Sequence, residues 1–357
     1  MKKICFVSYG NLYLAPYLKN YIDILGEDCD ILVWNRHNMK EKYGMCNLYS
    51  FSYEVNDNTS RKISKLIGYI KFTQFVGRHL IRKEYDRIIF LQSIGGICNS
   101  ILLLLKYRNK YIIDVRDYSI EGSHILRYIE KMVINSSLLN VISSEGYKKF
   151  LPNNVKYLLV HNYSPIPSLY LEEFHSRERK YSYPIRLSYI GLIRFQGQNK
   201  KIIDLFANDN RFVINFIGKN ALELLEYIES KKIRNVKLKD CFPPEKTLEY
   251  YKETDAILNV YGNNTPLLDY ALSNKLYYAA ALHIPILVSK NTFMEKKAVE
   301  GGFGFTLDFD DEEIKDKLAI YMLNIDRDKF GKACDIFMKQ VKQDNQVFSN
   351  EIRKNLS

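Results

Sequence analysis

The sequence predicts an α/β protein built from two doubly wound domains, each around a parallel sheet. Short apolar runs without polar alternation recur almost from end to end, with helical stretches between them. Such runs indicate strands covered on both faces, as in parallel sheets flanked by helices. The series breaks once, at a proline-bearing segment near its middle. The length of 357 residues, with 46% hydrophobic and 26% charged, is ordinary globular composition at two-domain size.

In the first half, "ICFVS", "DILVW", "RIIFLQ", "KYIIDV" and "KYLLV" read as buried strands; in the second, "IRLSYIG", "FVINFIG", "NVKLK", "DAILNV" and "IPILVS" do the same. Between the two series, "HNYSPIPSLYLEEFHSRERKYSYP" carries Pro165, Pro167 and Pro184 and no sustained apolar period, so the linker falls there. The domains are therefore 1–162 and 185–334, with 163–184 between them and a terminal helix, 335–357, available to rejoin the first. "DEEIKDKLAIYMLNI" and "RDKFGKACDIFMKQVKQ" read as helices, and the polar tail from Lys339 reads as fraying or lying on the surface.

Ligands of open α/β sheets bind beyond the carboxyl ends of the strands. Two such domains facing a cleft would hold a ligand between them, so the residues just after the strands are the candidates. After the first strand, Gly10-Asn11 allows a tight turn, with a helix expected near Leu14; this is not a GxGxxG motif, and a plain strand–helix turn is the alternative. "YIIDVRDYS" places Asp114, Arg116 and Asp117 at a strand end, either for sugar hydroxyls or as a surface pair capping a helix around Ile125.

"SYIGLIRFQGQNKK" combines a strand, Gly191, Arg194 and the pair Lys200-Lys201. With a helix beginning near Asn199, both lysines sit in a first turn, where cations oppose the helix dipole by roughly 0.3–1 kcal/mol each. Lys275 repeats the pattern behind Ser273-Asn274 in "YALSNKLYYAAALHIPILVS". A diphosphate suits backbone N–H groups, a guanidinium fork and an ammonium together. The alternative is a loop with solvated lysines.

These segments resemble the donor domain of GT-B glycosyltransferases, in particular the family 4-like enzymes of bacterial surface polysaccharide (capsule or O-antigen type) synthesis. "YIGLIRFQGQNKKIIDLF" is similar to their pyrophosphate segment, "FIGKN" to the next glycine turn, and "LKDCFPPEKTLEYYKETDAILNVY" to the loop and helix beside the nucleobase. "SNKLYYAAALHIPILVS" is similar to the ribose-side helix, and "GGFGFTLDFDDEEIKDKL" to the closing segment. In the first half, "DVRDYS", "VISSEGYKKFL" and "VHNYSP" resemble the family's cleft segment, the following strand–helix step and the linker entry.

The resemblance implies two Rossmann-like domains and transfer of a sugar from a nucleoside diphosphate sugar to a lipid-linked or oligosaccharide acceptor. It implies donor contacts at Gly10, Asn11, Gly191, Arg194, Lys200, Lys201, Gly218, Phe242, Asp269, Asn274, Lys275 and Tyr278. Arg116 and Asp117 would face the transferred sugar, and Arg194 and Lys200 would stabilise the leaving diphosphate without a metal. Two departures stand out: Tyr278 occupies the place of the family's glutamate, and His283 that of its glycine. The resemblance implies retention of configuration over inversion, a preference these departures weaken, with Asp269 as a substitute carboxylate. The rival functions are a silent nucleotide-sugar- or glycan-binding partner of another transferase, and a nucleotide-sugar epimerase of the same architecture.

Asp28-Cys29-Asp30 and Asp308-Phe309-Asp310 have the Asp-x-Asp spacing of metal-dependent transferases, but the first reads as a strand opening and the second as a helix lead-in. The six histidines form no HxH or HExxH pattern and the six cysteines no CxxC pair, so neither a metal, a cofactor nor a disulfide framework is expected.

The formal charge of +11 favours an anionic partner. No nucleic-acid-binding motif accompanies it. From Ser60 to Lys83 there are seven Lys/Arg and no acid; Ile63, Leu66, Ile67 and Ile70 share one helical face, Lys71, Arg78 and Arg82 another. That suits a helix lying on an anionic membrane, or an ordinary domain helix. The apolar start "MKKICFVSYG" is too short for a signal peptide, and no run approaches the roughly 20 residues of a membrane span. A cytoplasmic protein, peripheral on the membrane, is expected.

Overall fold

The computed structural model describes residues 2–54, 61–118, 122–176 and 180–356. Ser60, part of the linker (177–179) and Ser357 lie outside that range. The chain divides into two compact units: one runs to His161 and resumes at Gln343, the other is Asn162–Lys342.

The first unit holds β1 (Ile4–Ser8), β2 (Asp30–Asn35), β3 (Asn47–Ser52), β4 (Arg87–Phe90), β5 (Tyr111–Val115), β6 (Leu139–Ile142) and β7 (Tyr157–Leu159). They form one sheet in the order β3-β2-β1-β4-β5-β6-β7, every pairing parallel. The second holds β8 (Ile185–Ile190), β9 (Phe212–Ile217), β10 (Val236–Lys239), β11 (Ala256–Asn259), β12 (Ile286–Ser289) and β13 (Gly304–Leu307). Their order is β10-β9-β8-β11-β12-β13, again wholly parallel. Both orders reverse direction beside the first strand, which defines the crevice of a doubly wound sheet. In the first unit it lies between the ends of β1 and β4, in the second between those of β8 and β11.

All five residues of β1 and all four of β11 and β12 are buried, as runs without polar alternation require. Full burial does not extend to every strand of the predicted series: β9 alternates buried with half-buried positions, and β10, the "NVKLK" read as a buried strand, alternates half-buried with exposed ones. Of the three strands outside that series, edge strand β3 is nowhere fully buried and β13 only at Leu307, whereas β6 is buried at three of its four positions.

The basic segment forms one helix, Arg61–Lys83. Phe72, Val76 and Leu80 are its buried face, whereas Ile63, Leu66, Ile67 and Ile70 are 66%, 60%, 38% and 52% exposed. The stripe visible in the sequence therefore points outward. Gly68 lets this helix close on Trp34, since a β-carbon there would meet the indole at 2.3 Å.

The terminal segment is not a fraying tail. A single helix, Arg327–Leu356, begins in the second unit and ends in the first. Its Phe348, Ile352 and Leu356 belong to the core that contains Phe6, Tyr21 and Ile31. Among the described residues, no helix is long and apolar enough to cross a membrane.

Candidate functional site

At the end of β8 the chain turns through Gly191, whose φ of +113° suits glycine. The neighbouring turn after β9 is packed directly on it: a β-carbon on Gly218 would lie 2.0 Å from the Gly191 carbonyl oxygen. These two glycines thus open a shallow floor at the carboxyl edge of the second sheet, next to the point where its order reverses.

The loop beyond Gly191 is held from within. Arg194 N–H donates to the Tyr189 hydroxyl (3.2 Å), and Asn199 Nδ2 donates to the Arg194 carbonyl (2.8 Å). Phe195 takes a left-handed conformation and lays its ring against Tyr261 at 5.2 Å. The Arg194 side chain is left exposed, and no described carboxylate forms an ion pair with it.

Lys275 approaches the same floor from the far side. Ser273 caps its helix, Asn274–Ala281, by accepting from Lys275 N–H at 3.2 Å. The ammonium donates to the Tyr261 hydroxyl (3.0 Å), sits over the Tyr189 ring (4.6 Å), and would stand 3.9 Å from a β-carbon on Gly191. Burial, together with the charge of Arg194, lowers its pKa to about 8. Two cations, one of them partly desolvated, thus converge on a glycine floor without a described counter-charge, which is the electrostatic form of an anion site.

Lys200 does not join them. The helix begins at Gln196, three residues earlier than the sequence suggests, so Lys200 falls in its second turn and reaches the Tyr227 ring at 4.7 Å. The buried Asn199, bonded back to Arg194, belongs to that helix and does not precede it. Lys201 is exposed and lines a polar cavity of about 310 Å³ with Gln198, Asn263, Asn291 and Asp308. Lys275 keeps its expected place in a first turn.

Around the ribose-side helix, Asn274 is exposed beside Tyr163, Tyr277 and Tyr278. Tyr278 stacks on Tyr251 at 5.0 Å, and Phe242 meets Tyr250 edge-on at 4.7 Å. Aromatic surface thus stands where the resembling enzymes carry a carboxylate. Asp269 accepts from Asn264 N–H at 2.8 Å and so braces its own loop.

In the first unit, Arg116 is not presented to a ligand. It is 5% exposed, makes a two-pronged ion pair with Asp114 (2.6 and 2.7 Å), and lies over the Tyr17 ring at 4.1 Å. Tyr21 donates to the same carboxylate at 2.7 Å. Burial raises the Asp114 pKa, and Arg116 pulls against that rise. Asp117 is exposed beyond this pair. Asn11 is wholly buried and donates to Asn35 Oδ1 at 2.8 Å; it ties the ends of β1 and β2 together, and Gly10 lies in the same turn. The two Asp-x-Asp triplets engage lysines: Asp30 pairs with Lys83 at 2.9 Å and Asp308 with Lys290 at 2.5 Å.

Tyr189, Phe195, Asn199 and Tyr261 complete the site without having been singled out from the sequence. Tyr261 directly follows "DAILNV", so the rule that strand ends carry sites would have reached it.

No protein-family model matches the sequence, and no curated protein matches it either. The fold, by contrast, recurs in solved GT-B glycosyltransferases. Anabaena HepE in complex with UDP aligns with a TM-score of 0.68 at 13% identity, over 99% of this chain and 100% of that one. HepE has also been solved with UDP-glucose. The lipopolysaccharide outer core galactosyltransferase WaaB aligns at 0.67 and 16% identity, over 99% and 100%. Sucrose-phosphate synthase from Thermosynechococcus elongatus aligns at 0.68 and 11%, over 99% of each chain. The chain thus has the architecture of GT-B glycosyltransferases, two Rossmann-like parallel-sheet units.

Proposed function

We propose that the protein transfers a sugar from a nucleoside diphosphate sugar to a glycan acceptor, lipid-linked and destined for the bacterial cell surface. The observation that carries this is the pair Arg194 and Lys275, converging on the Gly191–Gly218 floor without a described carboxylate. The role assigned to them is to stabilise charge on the departing diphosphate, a form of preorganisation that supplies several kcal/mol of barrier lowering in a site of low dielectric. Positive side chains then do the work of a metal, so activity in the presence of a chelator is expected. Retention of configuration is carried over from the resemblance, and anomeric analysis of the product tests it.

The crystallised complexes of HepE make UDP the first nucleotide to try. Calorimetric titration of UDP and GDP into the wild type, Arg194→Ala and Lys275→Ala is the direct experiment. Each variant is expected to lose about ten- to a hundredfold in affinity, the usual effect of removing a charge-assisted bond of ~1.5–3 kcal/mol. Affinity unchanged in both variants would remove the site. Tyr278, where a carboxylate is expected, supports the second reading: a nucleotide-sugar-binding partner without turnover. Firm UDP binding with no transfer to any glycolipid acceptor would favour it.

A further inference from the structure

A second charged site stands in the first unit, at the carboxyl ends of β1 and β2. Arg36 follows β2 directly. Its guanidinium lies over the Trp34 ring at 4.1 Å and beside Tyr69 at 5.5 Å, and Nη2 donates to the Tyr9 carbonyl at 2.5 Å. The Nε–H is shut off from solvent and, among the described residues, has no acceptor, and no described carboxylate pairs with the charge. Arginine cannot relieve such a position by giving up its proton. The aromatic faces offset only part of the lost hydration.

The same short segment carries a complementary defect. Leu12 N–H donates to Glu41 Oε1 at 2.7 Å, while Glu41 Oε2 is buried without a donor among the described residues. Arg36 and Glu41 are therefore both anchored on Tyr9–Leu12, one offering unused N–H and charge, the other an unused acceptor. Tyr13, Leu14 and Met39, in the flanking loops, are 56%, 51% and 49% exposed.

We propose that this strand-end cluster binds a phosphorylated ligand, Arg36 taking the phosphate and Glu41 a hydroxyl, with the exposed apolar residues meeting a hydrocarbon chain where the ligand has one. Naming that ligand the sugar acceptor rests on the transferase reading above; the phosphate site itself does not. The chemistry is shared by a lipid phosphate and a free glycosyl phosphate, and two probes separate them.

Farnesyl diphosphate and glucose 1-phosphate are titrated, each into protein already saturated with UDP, so that the second unit's diphosphate site is filled. Wild type is expected to bind at least one probe. Arg36→Gln weakens that binding tenfold or more, and Arg36→Lys, which keeps the charge but not the fork, by less. Glu41→Gln keeps an oxygen for Leu12 and weakens glucose 1-phosphate severalfold, with little effect on farnesyl diphosphate. Lys148→Gln, removal of a solvent-facing cation, changes neither. Binding of farnesyl diphosphate alone identifies a lipid phosphate, and binding of glucose 1-phosphate alone a free sugar phosphate. Failure of both probes to bind wild type, or equal affinities in wild type and a folded Arg36→Gln, overturns the proposal. Loss of UDP binding by wild type would instead defeat the transferase reading and leave this site to be judged by the same probes without nucleotide.

Discussion

Lys275 is the residue whose chemistry is most exposed to test. Its pKa, lowered by burial to about 8, lies below the value of an unfolded lysine, about 10.4. The sign follows directly. Below pH 8 the folded protein carries the desolvated charge and bears its cost; between 8 and about 10.4 the unfolded chain binds more protons, so this group's contribution to stability rises with pH. An arriving diphosphate favours the charged form. UDP affinity is therefore expected to hold steady below pH 8 and to fall above it, by up to about tenfold per pH unit. Lys275→Arg, charged throughout, should show a flat profile. Calorimetric titration from pH 7 to 9 checks both, and equal slopes for wild type and Lys275→Arg would show that another group titrates. Arg116 is the opposite lesson. Its place at a strand end suggests a ligand contact, yet Asp114 is two residues away on the same face of β5, where alternate side chains meet. That spacing was visible in the sequence and favoured the ion pair.

Among the elements, the terminal helix gives the sharpest prediction. Phe348 is 1% exposed and meets Tyr21 edge-on at 5.2 Å, with Ile352 and Leu356 buried behind it. Phe348→Ala should destabilise the first unit by about 3–5 kcal/mol, the cost of emptying a large aromatic site. UDP binding, being housed in the second unit, should survive wherever the protein remains folded. Thermal melting followed at both levels checks this, and a loss under about 1 kcal/mol would mean that the helix end is not core. The same helix shows where pattern reading stops. Continuous apolar runs announced strands such as β1, β11 and β12 because burial on both faces leaves no polar position. The helix end is mixed polar and apolar, and only the partner core reveals which face is inside. Likewise "FQGQN" reads as loop by composition, but the left-handed Phe195 and the Asn199 bond to Arg194 start the helix at Gln196. Such local bonds override propensity.

For the molecule as a whole, a charge of +11 and an outward apolar stripe act together. Ile63, Leu66, Ile67 and Ile70 are uncovered on a helix whose Lys71, Arg78 and Arg82 are also exposed. Binding to vesicles rich in anionic lipid is expected, falling with salt, each basic residue contributing up to ~1 kcal/mol near the surface. Reversing the three charges should abolish the salt-sensitive part. Replacing Leu66, Ile67 and Ile70 with Asn should weaken binding even at low salt, because the remaining term is apolar burial. Sedimentation with vesicles measures both, and variants that bind as the wild type does would return the helix to an ordinary solvent face.

The helix shared by both units also bears on biosynthesis. The first unit is discontinuous in the chain: all six of its β–β pairings could form early, yet its core lacks Phe348, Ile352 and Leu356 until residues 343–356 have left the ribosome. The second unit, Asn162–Lys342, is whole before that moment. Domains generally fold as units during synthesis, so here the later stretch of sequence is the first to have a finished core, and the earlier one waits for the segment that follows it.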